Sequence, residues 1–547
     1  MTSGQPRTHH FRPDIEGLRA VAVLVVLAYH AGLPLTHGFL GVDVFFVISG
    51  FLISGLLVRE LTETGTIAWA RFIGRRIRRL LPAAILVLGV TSLVSWFVVP
   101  GLRRLEIGTD VAGAAGYVVN WVLAARAVDY LSSDSLPSPV QHFWSLAVEE
   151  QFYVVWPLLL LALGFACRRL RRRPRPAAVA VLLALLAVPS FGYAVWLGGI
   201  DPARAYFVTT ARAWELGVGA ALAVWCAGRA AQPRHTAGWR SVATAVGGWL
   251  GLAAVVASCA WLPADAVTPG PWTLAPTLGA AAVLYAGWAG APGGPGRVLA
   301  IAPLVWVGGL SYSLYLWHWP VLVLSQWAFP GLTGAQKVAV VAASVVPAWA
   351  CHRFLESPIH HSRALATRTR PVLALGLALS AAGALSAVPL VQAPSPFRTS
   401  PLVGARPALS SLGAATLTSP PSTDPAVYAV DDWQWLTPDP QLAGKDRPAA
   451  DVDRCQVDRL AEEPVACRFG VPGAATTVAL VGDSKAMQWL PALQALAPSR
   501  GWQVVTYGKS SCAFAAGHAQ NAGKAYPQCD VWNDRVVQRL TLDPLTW

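Results

Sequence analysis

Residues 15–33, IEGLRAVAVLVVLAYHAGL, and residues 38–58, GFLGVDVFFVISGFLISGLLV, are two long apolar runs that follow one another almost directly. A helix needs about 20 apolar residues to cross the roughly 30 Å hydrocarbon core of a bilayer, so each run is long enough for one crossing. The first run has no small-residue cleavage pattern, so we expect it to stay in the protein. The two runs predict a polytopic membrane protein.

The composition extends this prediction along the chain. Of the 547 residues, 54% are hydrophobic and 13% are charged, against roughly 45–50% and 25% in soluble domains. The formal charge of +13 lies largely in arginine blocks between apolar runs, which the positive-inside rule explains without a nucleic-acid partner. Ten further apolar segments lie at 83–99, 107–124, 141–166, 178–198, 206–227, 241–262, 273–290, 301–328, 335–351 and 371–391.

The arginine blocks also predict the topology. Four blocks are expected in the cytoplasm, at 71–79, 168–175, 229–240 and 353–370. All four reach that side only if segment 107–124, which contains Asp110, does not cross completely, so we expect it to be re-entrant or interfacial. The predicted fold class is a polytopic α-helical membrane protein with about eleven transmembrane helices. It lies in the inner (plasma) membrane with a cytoplasmic N-terminus and a C-terminal domain outside the cytoplasm.

The chain is predicted to contain a membrane domain, a linker and a second domain. Residues 1–370 form the membrane domain with about ten spans, and residues 371–391 form an eleventh span. Residues 392–425 are rich in Pro, Ser, Thr, Ala and Gly, which is typical of a flexible linker. Residues 426–547 contain a strand, a helix at 485–497 and a second strand, which predicts the start of an α/β sheet.

Four cysteines indicate the compartment of this second domain. Two local disulfides, Cys455 with Cys467 and Cys512 with Cys529, are the simplest pairing, although four cysteines allow three connectivities. Disulfides persist outside the cytoplasm, so they favour the same placement as the odd number of predicted spans.

Ionisable residues within apolar runs are costly in a bilayer and are therefore candidate functional residues. Arg19 and His30 share one face of the first predicted helix and stand roughly 16 Å apart along its axis. A histidine there can take a proton from a hydroxyl, as acyl transfer to an alcohol requires. The alternative is that Arg19 is a cytoplasmic anchor and His30 a hydrogen-bonded structural residue.

Two further groups complete the candidate site. Arg75, Arg76 and Arg79 lie in a basic amphipathic run, where guanidinium groups suit the phosphates of coenzyme A or, alternatively, anionic lipid. Glu149 and Glu150 are adjacent carboxylates at the start of a predicted span, so they need partners or a wet cavity.

Other polar residues in the apolar runs carry less information. Arg212 and Glu215 are three residues apart and are expected to form a structural ion pair. Asp43 and His318 are single polar residues, and neither predicts a site by itself.

Six motifs follow one another within residues 11–391. They are FRPDIEGLR at 11–19 running to His30, GVDVFFVISGF at 41–51, RRIRRLLP at 75–82, WSLAVEEQFY at 144–153, RAWELG at 212–217 and SYSLYLWHWP at 311–320. In this order they resemble the membrane acyltransferase-3 family of the O-antigen acetylase type. The resemblance implies a ten-span core that transfers an acyl group, usually acetyl, from cytoplasmic acyl-CoA to a cell-envelope glycan.

The same resemblance assigns expected roles to the candidate residues. Arg19 and His30 correspond to the family's catalytic arginine and histidine, and His30 is expected to act as a base or a transient acyl carrier. The co-substrate acetyl-CoA is expected near Arg75, Arg76 and Arg79, and no metal is expected. A multi-span transporter or flippase for an envelope precursor is the alternative, although the sequence shows no internal repeat.

The stretch Val481-Gly482-Asp483-Ser484 after an apolar strand resembles an SGNH hydrolase-like domain, which is often fused to these enzymes. Ser484 lies at the nucleophile position, at a strand-to-helix turn. However, Lys485 follows where histidine is common in such fused domains, no Asp-x-x-His occurs after Ser484, and His518 is the sole later histidine. We therefore expect this domain to be incomplete or inactive, which argues against Ser484 as a working nucleophile.

Overall fold

The computed structural model describes residues 11–126, 136–169, 175–229, 238–263, 266–393, 448–521 and 524–542. The chain forms two compact units, Met1–Pro394 and Ser395–Trp547. The predicted linker at 392–425 lies almost wholly outside the described residues, as does the start of the predicted second domain.

The first unit is helical. A π-helical turn at His352–Glu356 and short 3-10 turns connect some of its helices. In chain order the α-helices are α1 Pro13–His30, α2 Gly41–Thr64, α3 Trp69–Val98, α4 Gly101–Ala115, α5 Val119–Arg126, α6 Phe143–Arg169, α7 Pro176–Ile200, α8 Pro202–Phe207, α9 Thr209–Gly228, α10 Trp239–Trp261, α11 Leu274–Ala289, α12 Gly296–Leu299, α13 Ala302–Ala328, α14 Gly334–Ala343, α15 Val345–Cys351, α16 Ser357–His360, α17 Arg363–Ala366, α18 Thr369–Ser386 and α19 Val388–Val391.

Within the described residues, seven helical segments are long and apolar enough to cross a membrane. They are Gly38–Thr64, Trp69–Val98, Phe143–Arg169, Pro176–Ile200, Trp239–Trp261, Gly334–His360 and Thr369–Val391. Helices α1, α9, α11 and α13 also form where spans are predicted, but they are not among these seven segments. The protein therefore has a membrane-spanning unit, and the number of eleven crossings stays a prediction.

The segment at 107–124 forms no single long helix. It is divided between α4, of 15 residues, and α5, of 8 residues, both shorter than the roughly 20 residues that a crossing needs. Asp110 is fully buried there and pairs with Arg126 at the end of α5. This agrees with the expectation that the segment does not cross completely.

Three pairs of helices run parallel in close contact. Helices α1 and α13 meet near Glu16 and Gly308 at one end and at His30 and His318 at the other. A side chain on Gly308 would clash with the Glu16 carbonyl, so this small residue permits the close approach of the two helices. The α2–α9 pair is likewise parallel, because Asp43 contacts Arg212 near the start of both helices and Gly55 contacts Ala223 further along. The α3–α18 pair is parallel for the same reason, with contacts at Ile77–Gly376 and at Ile85–Gly383.

A fully buried ion cluster joins α2 to α9. The Arg212 guanidinium lies 2.8 Å from Glu215 Oε1 and 3.4 Å from Asp43 Oδ1, and all three side chains are buried. The rings of Phe46 and Trp144 face the guanidinium at 5.7 and 5.2 Å from their centroids. The predicted Arg212–Glu215 pair is confirmed, and Asp43 is a partner that the sequence did not identify.

Removing the cation from this cluster tests its contribution to stability. We expect Arg212→Ala to destabilise the protein by about 3–5 kcal/mol, because two buried carboxylates lose their counter-charge. The matched control is Arg59→Ala, which removes an ion pair with Glu63 whose side chains are 56% and 65% exposed and should cost about 0–1 kcal/mol. Thermal unfolding in detergent measures both variants. Equal, small losses of stability would contradict this role of the cluster.

The second unit contains a small mixed sheet. Its central strand β4 pairs in parallel with β1 and β3 and in antiparallel with β2, while β5 and β6 form a separate hairpin. The elements are α20 Ala449–Val452, β1 Gln456–Val457, β2 Ala466–Gly470, β3 Thr476–Gly482, α21 Ser484–Met487, α22 Leu490–Arg500, β4 Trp502–Lys509, β5 Gln520–Asn521, β6 Lys524–Ala525 and α23 Pro527–Leu542.

The predicted strand, helix, strand unit is present with one difference. Strands β3 and β4 are parallel neighbours, as expected, but the helix predicted at 485–497 is divided into α21 and α22 around Gln488 and Trp489. Pro491 explains where the second helix begins, because proline fits the first turn of a helix and lacks an N–H for its interior. Both predicted disulfides, Cys455–Cys467 and Cys512–Cys529, are formed.

Candidate active site

Three histidines from separate elements meet in the first unit. His30 ends α1, His142 directly precedes α6, and His318 lies within α13. The ring centroids of His30 and His142 lie 5.2 and 5.8 Å from that of His318. We refer to these three residues as the histidine cluster.

The contact between His30 and His318 fixes the tautomer of each ring. His318 Nδ1 lies 2.8 Å from the Tyr315 carbonyl and 3.1 Å from that of Leu314, so it carries a hydrogen and donates it. His318 is fully buried, where an uncompensated charge is costly, so its Nε2 holds a lone pair. His30 Nδ1, 3.0 Å from that Nε2, must then be the donor. The neutral His30 ring is left with its own Nε2 as an unprotonated base.

Aromatic side chains hold the two rings in place. The Trp319 ring lies against His30, with centroids 4.4 Å apart. Trp319 itself is fixed because its Nε1–H donates to the Ser138 carbonyl at 2.9 Å. The His30 ring is therefore held at Nδ1 by His318 and on its face by Trp319.

A second polar cluster surrounds Glu149 on α6. Its two carboxylate oxygens accept hydrogen bonds from the Ser49 hydroxyl at 3.1 Å and from the Tyr153 hydroxyl at 3.2 Å. Arg19 forms an ion pair with Glu16 at 2.8 Å and lies within electrostatic range of Glu149. Arg76 packs over the Tyr153 ring at 5.4 Å from its centroid. We call Glu149, Ser49, Tyr153, Arg76 and the Arg19–Glu16 pair the carboxylate cluster.

Arg19 and His30 lie on one helix, as predicted, eleven residues and roughly 16 Å apart along its axis. At this separation they are not in contact, and they belong to the carboxylate cluster and the histidine cluster. Helix α6 also connects the two clusters, because His142 and Glu149 are seven residues apart at its start.

The basic run at the start of α3 shows a division of roles. Arg78 is buried and donates to the carbonyls of His360 and Ser362. Arg75, Arg76 and Arg79 donate no hydrogen bond to any residue that the structure describes, and Arg76 packs over the Tyr153 ring at 5.4 Å. The three guanidinium groups predicted to bind coenzyme A therefore keep donors for a ligand.

Ser484 begins α21, one residue after the end of β3, and is exposed. The preceding Asp483 caps the helix by accepting the Lys485 N–H at 2.9 Å. The Asp-x-x-His segment is absent after Ser484, as the sequence predicts, and the single later histidine, His518, has its Nδ1 3.2 Å from Asp530 Oδ2. The pKa of Asp530 is lowered because its carboxylate accepts hydrogen bonds from the Ala519 N–H and from His518. The role of Ser484 stays a prediction.

Across the described ranges, no group of three or more His, Cys, Asp or Glu side chains is placed to hold a metal ion.

Comparison with protein-family models identifies the chain. A model described as an acyltransferase domain matches residues 12–353, more than half of the sequence. The chain belongs to the acyltransferase-3 family. A second model, an SGNH domain fused to acyltransferase-3 domains, matches residues 454–546. Both family resemblances of the sequence are confirmed, and this acyltransferase-3 protein carries both units.

Three relatives are similar to this acyltransferase-3 protein. It is 36% identical over 325 residues to a Bacillus subtilis (strain 168) protein provisionally named peptidoglycan O-acetyltransferase YrhL, a match that covers 58% of this chain and 49% of the relative. It is 32% identical over 363 residues to the peptidoglycan O-acetyltransferase OatA of Listeria monocytogenes, covering 63% and 55%. A Staphylococcus aureus (strain MSSA476) protein provisionally named as an O-acetyltransferase is 30% identical over 392 residues, covering 66% and 59%.

The chain spans about half the length of the curated relatives it matches. No solved structure matches it significantly.

His142 and His318 are site residues to which the sequence assigned no role. Both lie in or beside motifs that the sequence shows, His318 within 311–320 and His142 just before 144–153. The position of His318 in a polar, aromatic motif was the available signal. Its partner could not be read from the sequence, because 288 residues separate His30 from His318.

Proposed function

We propose that this protein is an O-acetyltransferase that moves an acetyl group from cytoplasmic acetyl-CoA to a hydroxyl of an extracytoplasmic cell-envelope glycan. The contact between His30 Nδ1 and His318 Nε2 is the observation that carries the proposal. It leaves His30 Nε2 as a base at the end of α1, and an alcohol needs such a base to attack a thioester.

The reaction balances without a further reagent. The acceptor oxygen forms a bond to the acetyl carbonyl carbon while its proton passes to His30 Nε2. The bond from that carbon to the sulfur of coenzyme A breaks, and the proton on His30 passes to the departing thiolate. His318 stabilises the charged His30 ring, because its Nε2 lone pair accepts the Nδ1–H throughout. An acetyl group carried transiently on His30 gives the same net balance.

The donor is proposed to bind at the start of α3. Arg75, Arg76 and Arg79 keep guanidinium donors that no described residue occupies, whereas the donors of Arg78 are used by main-chain carbonyls. Phosphates are well matched to guanidinium groups. In this proposal the diphosphate of acetyl-CoA meets these arginines.

The helix directions support a two-sided arrangement. In the predicted eleven-span topology, α1 and α13 cross the membrane in the same direction, and so do α2 and α9, and α3 and α18. Each of these pairs runs parallel in the structure. The basic start of α3 then lies at the cytoplasmic side, and His30 lies toward the opposite side. Two disulfides in the second unit agree with a place outside the cytoplasm.

The acceptor is proposed to be a hydroxyl of a cell-wall glycan. Two of the relatives carry names that specify peptidoglycan, and we extend that substrate class to this protein as part of the proposal. Peptidoglycan fragments are therefore the first acceptors to test.

Removal of the base tests the proposed reaction. We expect His30→Ala to lower the acceptor-dependent release of coenzyme A from acetyl-CoA by about 10²–10⁴-fold, the usual contribution of general acid–base catalysis. Free thiol is measured with the purified protein in membranes and a peptidoglycan fragment as acceptor. His361→Ala is the matched control, because this histidine is exposed and, among the described residues, its ring bonds to Ser357 and lies against His360. Undiminished release by His30→Ala would refute the proposal, and substrate movement without coenzyme A release would favour a transporter.

Replacement of His318 separates a positioning role from simple packing. His318→Gln keeps an amide oxygen near the former Nε2, so it can still accept the His30 Nδ1–H, whereas His318→Leu cannot. We expect the glutamine variant to retain more activity and a pH–rate profile closer to wild type than the leucine variant. Equal losses, with unchanged pH profiles, would show that His318 only fills space. Thermal unfolding checks that both variants are folded.

A further inference from the structure

His142 occupies a special position beside the base. Helix α13 contains Pro320, which has no N–H to offer to the carbonyl of Leu316 four residues earlier. His142 Nε2 lies 3.1 Å from that Leu316 carbonyl. Since a carbonyl oxygen only accepts, His142 Nε2 carries the hydrogen and compensates for the bond that the helix lost.

This tautomer leaves an unused acceptor in the site. With its hydrogen on Nε2, the neutral His142 ring has a lone pair on Nδ1. The His142 residue is only 4% exposed, and its Nδ1 has no hydrogen-bond partner among the described residues. A buried polar atom without a partner costs about 1–3 kcal/mol. Such atoms in folded proteins are normally paired with protein, water or ligand.

Neighbouring residues hold both the ring and the main chain of His142. The His142 ring lies edge-on to Phe143 and at 5.8 Å from His318 between centroids. Its main chain is held as well, because the Tyr315 hydroxyl donates to the His142 carbonyl at 3.0 Å. The His142 ring is therefore held within the histidine cluster, which also contains the proposed base.

We propose that His142 Nδ1 accepts a hydrogen bond from a hydroxyl of the glycan acceptor and so helps to hold the acceptor at His30. The inference rests on the proposed function and adds to it a residue that recognises the polyhydroxylated substrate. His142 binds the acceptor in this scheme and takes no proton from it, because His30 Nε2 is the base.

Two amide variants of His142 separate its hydrogen bond to Leu316 from its free acceptor at Nδ1. The asparagine oxygen of His142→Asn falls near the former Nδ1, so this variant keeps the free acceptor and loses the bond to Leu316. The glutamine nitrogen of His142→Gln falls near the former Nε2, so this variant keeps the Leu316 bond and loses the free acceptor. A substrate-binding role and a purely structural role predict opposite rankings.

The test measures kinetics and binding with the full-length protein in membranes. The acceptor probe is the disaccharide of N-acetylglucosamine and N-acetylmuramic acid, and the donor is acetyl-CoA. We expect His142→Gln to raise the KM for the disaccharide roughly tenfold, as for the loss of one hydrogen bond, with the KM for acetyl-CoA unchanged. We expect His142→Asn to keep the disaccharide KM near wild type but to unfold at a lower temperature.

The outcomes separate this inference from the proposed function. An unchanged disaccharide KM in His142→Gln would overturn the inference while the proposed reaction stands. The inference would also be overturned if His142→Gln lost acetyl-CoA hydrolysis to the same extent when no disaccharide is present. Such a loss would show that His142 Nδ1 holds a structural water and not the acceptor. If the wild type releases no coenzyme A, the proposed function fails, and direct titration with the disaccharide then decides the inference. Weaker disaccharide binding by His142→Gln than by His142→Asn supports the inference, and no disaccharide binding by the wild type overturns it.

Discussion

A single hydrogen bond between two imidazoles decides which ring nitrogen of His30 is left free. His318 Nδ1 is committed to the carbonyls of Leu314 and Tyr315 in its own helix, so its Nε2 can only accept while the ring is neutral. His30 must then donate from Nδ1, which leaves its Nε2 free to serve as the proposed base. In the proposed reaction His318 takes the place of the carboxylate that orients many catalytic histidines, but without bringing a buried negative charge.

The remaining polar residues are organised around that bond by two helices. Helix α1 carries Arg19 in the carboxylate cluster and His30 in the histidine cluster, and α6 links Glu149 to His142 in the same way. Close approach of α1 to α13, which Gly308 permits, brings His30 to His318. The carboxylate cluster, near the basic run, and the histidine cluster, which contains the proposed base, therefore lie at different depths of one helical unit. This separation suits a reaction whose donor and acceptor come from opposite sides.

Local features could be predicted from the sequence, whereas distant pairs could not. The Arg212–Glu215 pair and both disulfides follow from short spacing, and the structure contains them. Asp43 joins Arg212 across 169 residues and His318 joins His30 across 288, so only the packing of helices could show these contacts. Helical periodicity correctly placed Arg19 and His30 on one helix, but it could not show that each belongs to a different cluster.

The tautomer of His30 is the most direct test of this account. Nitrogen NMR of the full-length protein in membranes, with labelled histidine and His30→Ala to assign the signal, reports which ring nitrogen carries the hydrogen. We expect a neutral His30 ring at pH 7 with hydrogen on Nδ1 and none on Nε2. A His30 ring with its hydrogen on Nε2 would contradict the proposed role of His30, because Nε2 could not then act as the base.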